Sequence, residues 1–192
     1  MMKSLIIYAH PWDGSFNHAI LEDVKALLRK QGKAVDVIDL YKDGFNPVMS
    51  PSDLRVFGRG EYSDPLAEDY VNRLKAADEV VFIYPLWWYG EPAMLKGFFD
   101  KVLLKGHTYE QVDFGIKPLL NIKRSTLITT AAIDERSLVD YFGDPLGKRL
   151  IHGIFGMVGI ANTEWLHCGG VHLEEVRSDF LARINTRFGS EG

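Results

Sequence analysis

The sequence predicts an α/β protein: a three-layer, doubly wound parallel sheet of five strands in the order 2-1-3-4-5. Three observations carry that expectation. Apolar, β-branched runs alternate along the chain with stretches of helical periodicity. The strand candidates are nearly continuous in apolar residues, as in strands buried on both faces. The stretch 79–104, EVVFIYPLWWYGEPAMLKGFFDKVLL, passes directly from strand through an aromatic loop into a helix. At 192 residues, 46% hydrophobic and 25% charged, the chain suits a single domain over 1–192.

Residues 4–9 form the first strand, and the loop His10-Pro11-Trp12-Asp13-Gly14-Ser15 leads into a helix striped by Ile20, Val24, Leu27 and Leu28. Gly32 ends that helix, and 34–40 returns as the second strand. The polar stretch 41–64, broken by Gly44, Pro47, Pro51, Gly58 and Gly60, reads as an excursion without a regular element. Asp64 and Pro65 supply a cap and a first turn for a helix over 65–76, with Leu66, Tyr70 and Leu74 on one face. The central strand spans 79–84. Pro92 then stands at a first helical position, before a stripe of Leu95, Phe98, Phe99, Val102 and Leu103. A Gly-bearing loop over 105–123 holds Tyr109 and Phe114, and 125–130 is the fourth strand. A helix over 146–158, interrupted by Gly147, Gly153 and Gly156, precedes a fifth strand over 164–171. A terminal helix over 174–188 carries Val176, Phe180, Leu181 and Ile184.

The bulk properties exclude several functions. A net charge of −4 argues against nucleic acid, whose binders concentrate positive charge. The single cysteine, Cys168, rules out an internal disulfide and fits a reducing cytoplasm. No apolar run reaches membrane-spanning length, and the short one near the N-terminus reads as a strand rather than a signal peptide, so no integral membrane segment is expected. His167, Cys168 and His172 do not make a metal site, because neighbouring strand residues face opposite ways and no fourth ligand stands at zinc spacing. Cys168 reads as a buried thiol. The phosphate-binding G-x-x-x-x-G-K-[ST] and G-x-G-x-x-G patterns are both missing. The first strand-to-helix loop is nonetheless the natural anion site, since a helix start presents free N–H groups and a positive dipole end. Three consecutive aromatics, Trp87, Trp88 and Tyr89, cannot all enter one core. At least one ring is left where open α/β sheets bind ligands, and a flat ligand suits it.

The run YPLWWYGEPAMLKGFFDKV resembles the flavin-binding segment of the flavodoxin-like NAD(P)H quinone oxidoreductases, and AHPWDGSFNHAIL resembles their His-x4-Ser-Phe-Asn segment. The resemblance implies that Pro85, Leu86, Trp87, Trp88 and Tyr89 meet the flavin ring, largely through main-chain groups, while Gly90 and Pro92 set the turn into the helix. It implies that His10, Ser15, Phe16 and Asn17 contact the pyrophosphate and adenosine side of FAD, with FMN the lesser alternative. Each also has an ordinary role open to it: Ser15 as helix cap, Asn17 in the first turn, Phe16 as a core anchor, His10 on the surface. Thr129 and Thr130 match a Thr-Thr pair beside the flavin pyrimidine, and their hydroxyls are expected to bond the ring edge. Here Ala131-Ala132 replaces the Gly-Gly of the mammalian members, and the Tyr and His that follow there are not found at matching spacing. The catalytic group is therefore unassigned, with Tyr109 and Tyr141 the pocket candidates. LYKDGFNPVMS resembles the segment that packs across a partner subunit in that family, which implies a homodimer.

The activity implied is two-electron transfer from NAD(P)H, as co-substrate, through the flavin to quinones or related acceptors, by ping-pong turnover in one apolar slot. The same family includes flavin-bearing regulatory subunits of potassium efflux systems, and FMN-dependent azoreductases form a second alternative.

Overall fold

A computed structural model describes residues 1–189. Its strands are β1 (Lys3–Tyr8), β2 (Ala34–Asp39), β3 (Glu79–Pro85), β4 (Tyr109–Val112), β5 (Gly115–Pro118), β6 (Arg124–Thr130) and β7 (Thr163–Cys168). Five of them form one parallel sheet in the order β2-β1-β3-β6-β7, which is 2-1-3-4-5 counted along that sheet alone. All seven residues of β3, at the centre, are buried. Side chains alternate between the faces with the period of a strand. Leu5, Ile7, Val80, Phe82 and Leu127 enter one apolar cluster, while Ile6, Tyr8, Val81, Ile83 and Ile128 enter the other. Each such side chain contributes about 1.5–3 kcal/mol by leaving water.

Helices α1 (Phe16–Lys30), α2 (Pro51–Phe57), α3 (Pro65–Lys75) and α4 (Ala93–Val102) precede α5 (Glu135–Asp140), the π-helical segment Pro145–Phe155, α6 (Gly156–Val158) and α7 (Glu174–Gly189). Ile20, Val24 and Leu28 of α1 pack with Phe180 and Ile184 of α7 on one face of the sheet. Tyr70, Val71 and Leu74 of α3, Leu95, Phe98 and Phe99 of α4, and Leu146, Leu150 and Phe155 of the π-helical segment cover the other.

Five sequence expectations change. The excursion over 41–64 contains α2, which buries none of its residues and so shows no apolar stripe. It forms because Ser50 and Asp53 make a reciprocal capping box around Pro51. The stretch 105–123 contains the β4–β5 hairpin rather than a plain loop, with Asp113 and Phe114 at its tip; its strands are mostly exposed, which hid the usual alternation. Pro92 is the cap of α4, not its first helical residue. α5 had no sequence signal beyond Asp134, whose carboxylate caps Ser137 N–H at 2.8 Å. β7 stops at Cys168 instead of 171, where its partner β6 ends at Thr130; Gly169 then packs on Asp134, where a Cβ would come within 2.6 Å of its Cα.

The excursion is fastened to α4 by Lys101, a buried cation. Its Nζ lies 2.6 Å from Asp64 Oδ2, 2.8 Å from the Asn46 carbonyl, 3.8 Å from Asp53 Oδ2 and over the Phe45 ring. Burial works against the charge of Asp53, but hydrogen bonds from Ser63 and Ser50, together with Lys101, hold its carboxyl below the usual range. Gly97 completes the seam, since a Cβ there would strike Pro47 at 2.3 Å.

Candidate functional site

The carboxyl ends of β1, β3 and β6 converge where the strand order reverses, and the loops leaving them carry the residues singled out in the sequence. The loop after β3 is a tight two-residue turn. Trp87 and Gly90 pair across it, N–H to carbonyl, at 3.0 and 3.3 Å. Trp88 (φ 53°) and Tyr89 (φ 65°) occupy its two central positions. Left-handed backbone at a non-glycine residue costs on the order of 1–3 kcal/mol and persists only where the surroundings enforce it. Here Leu86 N–H bonds the Thr130 carbonyl at 2.9 Å, Tyr89 stacks on Phe142 with ring centres 3.9 Å apart, and Arg149 makes a two-pronged ion pair with Glu91. The Glu91 carboxylate is 4% exposed. The turn throws Trp88 into solvent at 93% exposure and leaves Trp87 at 46%, so Trp88 is no core residue. Pro85 and Leu86 are buried beneath.

In the loop after β1, His10 lies with its ring centre 6.5 Å from that of Trp87, and its Nδ1 accepts the Trp12 N–H at 3.1 Å. Partial burial pushes the imidazole below its ordinary pKa. Ser15 caps α1, its hydroxyl accepting His18 N–H at 3.1 Å, and Phe16 packs toward Phe180. Asn17 Nδ2 donates to the Thr130 hydroxyl at 2.8 Å, which ties the start of α1 to the end of β6. The structural roles open to Ser15 and Phe16 are thus filled, and the cap takes the His18 N–H of the first turn.

The Thr-Thr pair splits between the two faces. Thr129 accepts the Trp165 indole N–H and donates to His167 Nδ1, both at 2.8 Å, and His167 Nε2 donates to the Ile133 carbonyl at 2.8 Å. The Thr129 and Thr130 hydroxyls are buried, and Thr130 accepts from Asn17 while its own O–H is not used by that bond. These bonds tie the end of β6 to α1 and β7. Both His167 nitrogens are occupied, and burial pushes the ring below its ordinary pKa against the opposing pull of the Ile133 bond, Glu135 and Asp134. A depressed histidine stabilises the fold above its unfolded pKa, about 6.5, and that share is lost as pH falls through the window below it. We expect unfolding free energy to rise with pH across that window, and His167→Gln to flatten the rise in urea titrations. An unchanged slope in the variant would remove His167 as its source. Cys168, also buried, has its thiol pushed up by burial.

The tyrosine candidates part company. Tyr141 is 83% exposed at the end of α5, while Tyr109 is half-buried against the core on the hairpin; among the described residues neither has a ring contact with Trp87, Trp88 or Tyr89. Sequence reasoning missed Glu91, Arg149 and Phe142, which hold the turn. Glu91 stood inside the aromatic run without a role of its own, and Arg149 and Phe142 lie in stretches without a motif.

A flavin fits what is present. Among the described residues Asn17 Oδ1 is buried without a hydrogen-bond partner beside the start of α1, whose first turn carries no acidic residue, and the buried Tyr8 hydroxyl lies there against Ser15. Burial pushes the Tyr8 phenol up to about 12, so it stays a neutral donor. A separate cavity of about 600 Å³ opens at the amino ends of the strands, lined by Lys33, Glu79 and Arg124, away from these groups.

A family model for the flavodoxin-like fold matches residues 2–188. An uncharacterised NAD(P)H oxidoreductase of Haemophilus influenzae is 33% identical over 174 residues, covering 90% of this chain and 86% of that protein. NAD(P)H dehydrogenase [quinone] 1 of Rattus norvegicus is 34% identical over 146 residues, but the match spans 67% of this chain and only 53% of the rat protein. The solved NAD(P)H:quinone oxidoreductase of Methanothermobacter marburgensis superposes with a TM-score of 0.84 at 27% identity, over 98% of each chain.

Proposed function

Because the chain belongs to the flavodoxin-like fold family, we propose that it is a flavin-dependent NAD(P)H oxidoreductase that reduces quinones or related acceptors, with FAD as its flavin. The observation that carries the reading is the strained Trp87–Gly90 turn, braced beside His10 and the start of α1 at the point where the strand order reverses. Rigid backbone of this kind presents fixed N–H and C=O groups to a flat ring and needs no rearrangement to do so. The bound flavin would supply the redox chemistry, taking a hydride from NAD(P)H and passing it on to the acceptor. Leu86 to Tyr89 would seat the ring, and His10, Ser15, Phe16 and Asn17 would receive the phosphate side. The exposed faces of Trp87 and Trp88 offer one apolar wall for donor and acceptor in turn. Ping-pong turnover follows, since two flat substrates cannot both lie at roughly 3–3.5 Å from one ring face.

Purified protein should be yellow, and heat release followed by chromatography should yield FAD. Protein that neither carries nor takes up a flavin would overturn the activity, and FMN alone would overturn only the choice of flavin. Initial-rate lines for varied NAD(P)H at several fixed quinone concentrations should be parallel, and intersecting lines would refute the shared slot.

The active form proposed is a cytoplasmic homodimer. Leu54 and Phe57 on α2, and Phe114 at the hairpin tip, are apolar and exposed on the two segments inserted into the fold. A stable interface removes about 1,600 Å² from water. Sedimentation of the protein at micromolar concentration is expected to give twice the chain mass of 21.7 kDa, and a fully active 21.7 kDa species would refute the dimer.

A further inference from the structure

The loop between β1 and α1 holds an aromatic side chain that the flavin reading leaves unused. Trp12 is 66% exposed, yet it is not loose. Its main-chain N–H is held by His10 Nδ1 at 3.1 Å, its carbonyl accepts Ser15 N–H at 3.1 Å, and its indole packs on Gly14, where a Cβ would come within 2.4 Å of the ring. An exposed indole fixed in this way has already lost part of the rotamer freedom that stacking on a ligand would cost. The charge of neighbouring Asp13 is balanced by Lys42, 3.1 Å away.

The surroundings give that ring a direction. The first turn of α1 follows it at once, with Asn17 Oδ1, which has no hydrogen-bond partner among the described residues, and the Tyr8 hydroxyl buried there. His10 joins it on the other side to Trp87, whose ring centre is 6.5 Å away. The site is therefore a row: the exposed aromatics of the β3 turn, then His10 and a helix start suited to phosphate, then the indole of Trp12. A ligand with two flat rings joined through phosphates matches both ends of that row. A mononucleotide reaches only one.

We propose that Trp12 is the stacking platform for the adenine of a flavin dinucleotide, and that it makes this site select FAD over FMN. The inference rests on the flavin reading above. The test loads purified protein with FAD or with FMN and follows flavin release on dilution by the return of free-flavin fluorescence. Wild type is expected to hold FAD more tightly than FMN. Trp12→Ala should weaken FAD by about 5- to 150-fold, the usual effect of losing one base-stacking aromatic, and leave FMN affinity unchanged. Trp12→Phe should recover part of the loss. Unchanged FAD affinity in Trp12→Ala would overturn the proposal. Equal weakening of FAD and FMN would also overturn it, by making the indole a brace for the loop. Wild-type protein that takes up neither flavin would instead remove the reading on which it rests.

Discussion

Replacing Lys101 with methionine is expected to lower the free energy of unfolding by about 3–5 kcal/mol, the usual cost of removing one partner from a buried ion pair. The cause is less the lost attraction than what is left behind. Asp64 and Asp53 would stay in a site with little access to water, and the Asn46 carbonyl would lose its donor. Methionine keeps most of the stem and its packing against Phe45, so a cavity does not explain the loss. Urea unfolding of the variant measures it. Adding Asp64→Asn to Lys101→Met removes one stranded charge and should recover part of the stability. A loss below about 1 kcal/mol would mean that water enters the seam and screens it like a surface pair. Because Lys101 fastens the excursion to α4, the same variant should also weaken the proposed dimer, read by sedimentation at a concentration where the chain stays folded.

The sheet was legible because its signal is local. Each strand is an apolar run bounded by turns, and β3, buried along its whole length, is the clearest of them. Terminal and amphipathic helices were legible by the same logic: the stripe of Ile20, Val24 and Leu28 in α1 is the face that packs on the sheet. What stayed hidden is structure held by something other than an apolar stripe. α2 rests on its capping box, α5 on Asp134, and the hairpin on backbone pairing between mostly exposed residues. The site divides in the same way. The aromatic turn and the residues from His10 to Asn17 stand in contiguous motifs. The groups that hold them come from far along the chain: Arg149 reaches Glu91 across 58 positions, and His167 reaches Thr129 across 38. Spacing carries no record of such pairs. It also could not show that Thr129 bonds Trp165 and His167 while Thr130 bonds Asn17, which depends on what packs on each face of β6.

Arg149→Met is expected to weaken flavin binding about 30-fold, equivalent to about 2 kcal/mol, while lowering overall stability by a similar or smaller amount. Left-handed backbone at both Trp88 and Tyr89 is a high-energy arrangement, and the Glu91–Arg149 pair is one of the few contacts that hold it. Without the guanidinium, Glu91 gains nothing by staying buried, the turn is free to relax, and the ligand must then supply the ordering energy itself. Arg149 is partly exposed, so solvent screening moderates the electrostatic share of the loss. The discriminating result is a double-mutant cycle with Glu91→Gln, in which flavin affinity should fall little further in the double variant than in either single one. Hydrogen exchange of the Trp88 and Tyr89 amides gives a reading without ligand, and should speed up in Arg149→Met. Unchanged flavin affinity together with faster exchange would show that the turn is strained but does not seat the ring. Additive losses across the cycle would show that the two side chains act separately rather than as a clamp.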